Sequence, residues 1–299
     1  MPPLALPSVA FAEGDDIASI VHRVAERSPG RTALVDGDAR ITWAALDRRM
    51  EAVAGALSVS GVGPGARVAV LAANSSEYVE IFFGVLRAGA CVVPLGTMSS
   101  EDALRAMLDD CDAKALFTSD AYRDVATRTV SPRVTLRVGI GEGGSGFEPY
   151  AAFLERGQGV PRPATARPLR AEDAFDVIYS SGTTGVPKGI EHSHGARKAS
   201  YAGARARYFT AESVNVVATP FYSNTTCITW LLTTAAGGTN VILRKFSADA
   251  FLDAARDYQA THAMLVPVQY DRLFASPRFS PDDLRSMKFL FSTSAPLRA

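Results

Sequence analysis

The chain has 299 residues, 47% hydrophobic and 21% charged, enough apolar mass to bury a sizeable core and to form two domain-sized units. Lysine plus arginine total 31 and aspartate plus glutamate total 31, so the formal charge is zero, and without a long basic run a nucleic-acid face is not expected. Cys91, Cys111 and Cys227 lie far apart with no CxxC pair, and no segment supplies the ~18 apolar residues of a membrane span, so we expect reduced buried thiols and a cytoplasmic protein without a disulfide framework or zinc site.

Short apolar runs alternate with helical stretches, as in a doubly wound α/β protein. Asp16 to Arg27 carries Ile17, Ile20, Val21 and Val24 at helical spacing. Ala33-Leu34-Val35 and Arg40-Ile41-Thr42 read as a hairpin turning on Asp36-Gly37-Asp38, after which Thr42 caps a helix to about Ser60. Arg67 to Ala72 is a strand, Ser75 or Ser76 to Ala88 a helix, and Ala90 to Pro94 a strand, which completes two βα units. A helix over Ser100 to Cys111 leads to the strand Ala115 to Thr118. Residues 141–171, rich in Gly, Pro and Arg, read as a long surface connection and divide the chain into a portion over 1–170 and another over 171–299.

The strand-like run Ala174 to Ile178 is followed by Tyr179-Ser180-Ser181-Gly182-Thr183-Thr184-Gly185-Val186-Pro187-Lys188-Gly189. Backbone N–H groups crowd around a polyphosphate only where side chains are absent, and Gly182, Gly185 and Gly189 leave that room. Ser180, Ser181, Thr183 and Thr184 supply hydroxyl donors and Lys188 a mobile charge. Pro187 and Gly189 on either side of the lysine exclude a Walker loop. A Ser/Gly/Thr surface turn is the bland alternative.

This stretch resembles the signature loop of the AMP-forming adenylating enzymes: acyl- and aryl-CoA synthetases, luciferases and peptide-synthetase adenylation domains. Ile41 to Asp47, Gly61 to Val70 and Leu86 to Leu95 are similar to the family's earlier blocks and occur in its order. The resemblance implies two doubly wound, mostly parallel sheets flanked by helices, as the incomplete large amino-terminal domain of an adenylate-forming enzyme. It also implies ATP, Mg²⁺ and coenzyme A as cofactors. In this reaction a carboxylate attacks the α-phosphorus of ATP, and a thiol then takes the acyl group from the adenylate.

After the loop, His192 and His194 invite a metal reading, but His-x-His without a third ligand is better explained by a strand-end histidine bonded to backbone, and no metal is assigned. Val214 to Pro220 is a strand candidate. Phe221, Tyr222, Ser223 and Thr225 then match the segment that in the family walls the acid pocket, with Phe221-Tyr222 where many members have an aromatic followed by His. Trp230 is equally readable as a core aromatic, and Phe221 and Tyr222 less so. No Asp or Glu occurs from Thr219 to Val241, which argues for an acid without an α-amino group. Gly237 to Leu243 reads as a turn and strand and His262 to Pro267 as another strand of a second parallel sheet, and Ser247 caps a helix over Ala248 to Tyr258. Lys288 to Leu297 resembles the family's adenine-contacting strand and turn, with Ser294, Ala295 and Pro296 at the base and Ser292-Thr293-Ser294 where glycines are common.

The family's catalytic lysine and its Mg²⁺-linked glutamate would lie beyond Ala299, so the chain is expected to be the amino-terminal part of an acid–CoA ligase and to need the rest for catalysis. The small carboxy-terminal lid domain would be missing as well. A non-catalytic nucleotide- or acyl-binding relative, and an adenylating enzyme that loads a carrier-protein thiol, are the alternatives. The expected partners are a small carboxylic acid and the CoA or carrier thiol, with a homo-oligomer left open.

Overall fold

The structure, a computed structural model, describes residues 17–160, 169–180, 187–202, 208–293 and 295. In chain order the elements are α1 (Ile17–Arg27), β1 (Thr32–Asp36), β2 (Ala39–Thr42), α2 (Trp43–Val59), β3 (Arg67–Leu71), α3 (Ser76–Arg87), β4 (Cys91–Pro94), α4 (Glu101–Asp110) and β5 (Ala115–Ser119). Then follow α5 (Arg123–Thr129), β6 (Leu136–Ile140), β7 (Glu148–Pro149), α6 (Tyr150–Gly157), β8 (Ala174–Ser180), β9 (Lys188–Ser193) and α7 (His194–Ala202). The last are β10 (Val214–Val217), α8 (Asn224–Ala236), β11 (Thr239–Ile242), α9 (Ala248–Asp257), β12 (His262–Leu265), α10 (Pro267–Phe274) and β13 (Phe289–Ser292).

Helix starts follow local chemistry. Thr42, Ser75, Ser100 and Ser247 each accept a hydrogen bond from a backbone N–H three residues on, satisfying a donor that the first helical turn leaves unpaired. α8 ends at Gly237, whose φ of 78° is the left-handed conformation that glycine adopts without a Cβ penalty.

The strands form two sheets, as expected. One runs β7-β6-β5-β3-β4-β8-β9 and is parallel except for the β8–β9 hairpin; the other runs β13-β12-β10-β11-β1-β2 and is parallel except for β1–β2. Side-chain alternation builds three apolar layers. Val68 and Val70 of β3 face a central layer of α1, α2, α3 and α8, while Ala69 and Leu71 face α4 on the outside. In the other sheet Val217 and Ile242 face the central layer, whereas Val216 and Val241 face α9 and α10. α3 lies in the middle of the molecule, buried from Tyr78 through Arg87.

Two expectations need correction. Residues 141–171 are not one surface connection, because β7 and α6 form within them and Phe153 is wholly buried against Phe117. α6 packs so closely on α2 that a Cβ at Gly157 would collide with the Ala52 carbonyl oxygen, which periodicity counts cannot reveal in a Gly-rich stretch. A boundary at 170/171 also does not follow the sheets. β1 pairs in parallel with β11, and β8 pairs with β4, so each sheet draws on both sides of that boundary. Sequence reading had no means to see these long-range pairings.

Candidate active-site cleft

In a doubly wound sheet, ligands collect at the carboxyl ends of the strands where successive connections leave toward opposite faces. Here β3 leads to α3 in the central layer, whereas β5 leads toward α5 on the outside. Likewise β10 leads to α8 in the central layer, whereas β11 and β12 lead to α9 and α10 on the outer face. Both switch points open on one cleft of about 300 Å³. Its wall includes Ala72, Asn74, Thr97 and Tyr122 from one sheet's connections, and Thr219, Tyr222, Arg244 and Lys245 from the other's loops with Gln269 and Arg272 from α10.

Asn74 ties the two sides together. Its Nδ2 donates to the Thr219 carbonyl at 2.9 Å and to the Leu243 carbonyl at 3.3 Å, while its Oδ1 accepts from Phe221 N at 2.8 Å. One side chain thus fixes the loops after β3, β10 and β11, and it is buried to 7% exposure. Gln269 repeats the device at the end of β12, with Nε2 donating to Ala218 O at 2.9 Å and Oε1 accepting from Val266 N at 3.0 Å. Asp36, buried at the end of β1, accepts from Ser76 N at the start of α3 and from both Nε and Nη2 of Arg244. A carboxylate at a helix amino terminus is favoured by the dipole, and the two-nitrogen pair fixes Arg244 at the rim. The hydrogen bond to Asp36 holds the Arg244 guanidinium above its ordinary pKa. Arg244, Lys245 and Arg272 face the cleft, and among the described residues no acidic one lines it, so it favours anions.

The two ends of the expected phosphate loop reach the same edge. β8 runs parallel to β4, so Ser180 leaves the sheet on the side where Asn74 and Thr97 lie. Lys188 opens β9 directly opposite Ser180 in the hairpin register, and both are exposed. Ser181, Gly182, Thr183, Thr184 and Gly185 lie outside the described residues. Ala295 sits exposed just beyond β13, again at a carboxyl end, while Ser294 and Pro296 are outside the described residues.

The four acid-pocket candidates separate. Tyr222 lines the cleft. Phe221 turns away into the core at 1% exposure, stacked on Tyr78 with ring centroids 5.1 Å apart and edge-on to Trp230, which is itself fully buried. Ser223 occupies the cap position of α8 without a side-chain capping bond, and Thr225 is half-buried in the first turn. His194 begins α7 with its ring edge-on to Phe175 and its backbone N–H on Asp173 O, whereas His192 Nδ1 lies 2.7 Å from Asp176 Oδ1. Among the described residues no group of three or more His, Cys, Asp or Glu is placed to hold a metal ion. Burial pushes the thiols of Cys91 and Cys227 up to about 12 and that of Cys111 up to about 11, which leaves them protonated and unreactive near neutral pH.

Asn74, Asp36, Arg244 and Gln269 carry no motif. Their sequence signal is only a polar residue shortly after an apolar strand. No helix among the described residues is long and apolar enough to cross a membrane.

The AMP-binding enzyme family matches residues 21–299. Indoleacetate–CoA ligase of Aromatoleum aromaticum is 31% identical over 289 residues, covering 93% of this chain and 55% of that protein. Feruloyl-CoA synthase of an Amycolatopsis species is 30% identical over 279 residues, with 93% and 54% covered. The anthranilate CoA ligase AuaEII, solved with anthranoyl-AMP, shares the fold with a TM-score of 0.86 at 24% identity, over 99% of this chain and 57% of that one. ATP-bound MatB from Rhodopseudomonas palustris superimposes with a TM-score of 0.79 at 27% identity, covering 94% of this chain and 55% of that one. The chain spans about half the length of the curated relatives it matches.

Proposed function

Because the chain belongs to the AMP-binding enzyme family, we propose that it supplies the nucleotide- and acid-binding part of an AMP-forming acid–CoA ligase. The observation that carries this reading is the shared edge: the β8–β9 hairpin around the phosphate loop and the two sheets' switch points all lie at strand carboxyl ends. There the carboxylate attacks the α-phosphorus of ATP, the bond to the β-phosphate oxygen breaks, and pyrophosphate leaves. The thiol of CoA next attacks the acyl-adenylate and displaces AMP. Positioning and charge neutralisation supply the acceleration. Lys188, with the hydroxyls of Ser180, Ser181, Thr183 and Thr184, steadies the departing pyrophosphate. Ser294, Ala295 and Pro296 take the adenine face. Mg²⁺ would be carried by the ATP phosphates and would neutralise their charge there.

The acid we assign is aromatic and lacks an α-amino group. Tyr222 offers a ring with a polar tip to the cleft, among the described residues no carboxylate lines the cleft to neutralise an ammonium, and relatives named for indoleacetate and ferulate match most of the chain. Arg244, Lys245 and Arg272 suit the phosphates of the incoming CoA. Free buried cysteines fit the cytoplasm, where ATP and CoA are available.

Calorimetric titration with ATP·Mg²⁺, paired with acid-dependent pyrophosphate exchange by the full-length enzyme, tests this. ATP binding with exchange driven by indoleacetate, ferulate or benzoate is expected. No ATP binding and no exchange with any of these acids would overturn it.

A further inference from the structure

One polar cluster near the cleft is left unused by this reaction. Asp176, in the middle of β8, is fully buried. Arg197 of α7, at 6% exposure, donates to it from Nη2 at 2.6 Å and donates from Nη1 to Asn224 Oδ1 at 2.8 Å. His192 of β9, the cross-strand partner of Asp176, places Nδ1 on the other carboxylate oxygen at 2.7 Å. A single guanidinium therefore spans the hairpin that flanks the phosphate loop and the first residue of α8, two positions after Tyr222. The planar fork allows this, because its nitrogens diverge at a fixed angle and each serves a different element.

We propose that Arg197 is a positioning residue that sets the start of α8, and with it the cleft-facing Tyr222, against the phosphate-loop hairpin, so that acid and nucleotide are held in register. The inference rests on the adenylation reading. Asn224 is exposed, so its bond to Arg197 contributes placement with little burial, and it can be removed without stranding the Asp176 charge.

The test uses Asn224→Ala, Asn224→Asp and Arg197→Lys in the full-length enzyme. Lysine retains a cation for Asp176 but has no second nitrogen for Asn224. In pyrophosphate exchange, Asn224→Ala and Arg197→Lys should raise KM for the acid about tenfold while KM for ATP stays within about twofold, and Asn224→Asp should restore the acid KM. Amide hydrogen exchange over residues 223–227 should quicken about tenfold in Asn224→Ala and stay unchanged over 188–193. An unchanged acid KM with unchanged exchange overturns the proposal. So does a parallel rise in both KM values with a lowered Tm, the signature of a general structural role. If the wild type exchanges pyrophosphate with no acid, the proposed function fails, and hydrogen exchange alone then decides whether Arg197 places α8.

Discussion

The floor of the cleft and the β8–β9 hairpin stand at the same edge of the molecule but are held in opposite ways. Floor loops are fixed by buried amide side chains, with Asn74 and Gln269 each bonded to two segments, and they rest on α3, which is buried along most of its length. β9 is the outer strand of its sheet, exposed from Lys188 to Glu191, and its charged groups meet solvent. Residues whose types announce chemistry are on the exposed hairpin. Asn74 and Gln269, which shape the cavity, are buried and announce nothing.

Substitutions on each side should separate the two. Asn74→Ala should have the largest effect, about 4 kcal/mol lost in urea unfolding, because three hydrogen bonds disappear and the buried partners are left unsatisfied. If the loss is under about 1 kcal/mol, the floor is not fixed as described. A pH effect belongs to the same side. Burial lifts Glu80 of α3 from 4.5 to about 7, against the pull of Arg49, whose Nη1 lies 2.5 Å away. Its folded-state value is the higher one, so its contribution is full below about pH 4.5 and is lost as pH rises through 7. At 1.36 kcal/mol per unit that is about 3 kcal/mol. Glu80→Gln should flatten the stability–pH curve over that window, and an unaltered slope between pH 5 and 8 would contradict it.

On the hairpin the effects should move from stability to binding. Lys188→Ala should weaken ATP about tenfold, or ~1.4 kcal/mol, in a calorimetric titration while leaving Tm unchanged. Unaltered ATP affinity would remove Lys188 from the phosphate site. The smallest change is expected for Glu191→Ala, which breaks the 2.7 Å surface pair with Arg67. Two partly exposed side chains bridged in water contribute under about 0.5 kcal/mol, so a loss above about 1 kcal/mol would show the hairpin to be held more firmly than its exposure indicates.

Much of the fold was legible one segment at a time. Thr42, Ser75, Ser100 and Ser247 announced their helices because a cap is a contact within four residues, and the short apolar run of β3 announced a strand, which the structure buries on both faces. α6 escaped notice because its evidence is a close approach to α2 from about a hundred residues earlier. Phe221 and Tyr222 were read as one pair, yet they point in opposite directions, one stacked on Tyr78 and the other facing the cleft.

By itself the sequence determined the local elements, the alternation that makes an α/β protein, and the glycine, hydroxyl and lysine composition of the expected phosphate loop, since all of these depend on neighbours along the chain. Only the tertiary structure decided that β1–β2 joins the later strands, that both switch points share one cleft, and that Asn74, Asp36 and Arg197 hold its parts in place. The partners of Asn74 and Asp36 lie between 40 and 208 residues away in sequence, and a hydrogen bond over that separation leaves no periodic trace in the chain that makes it.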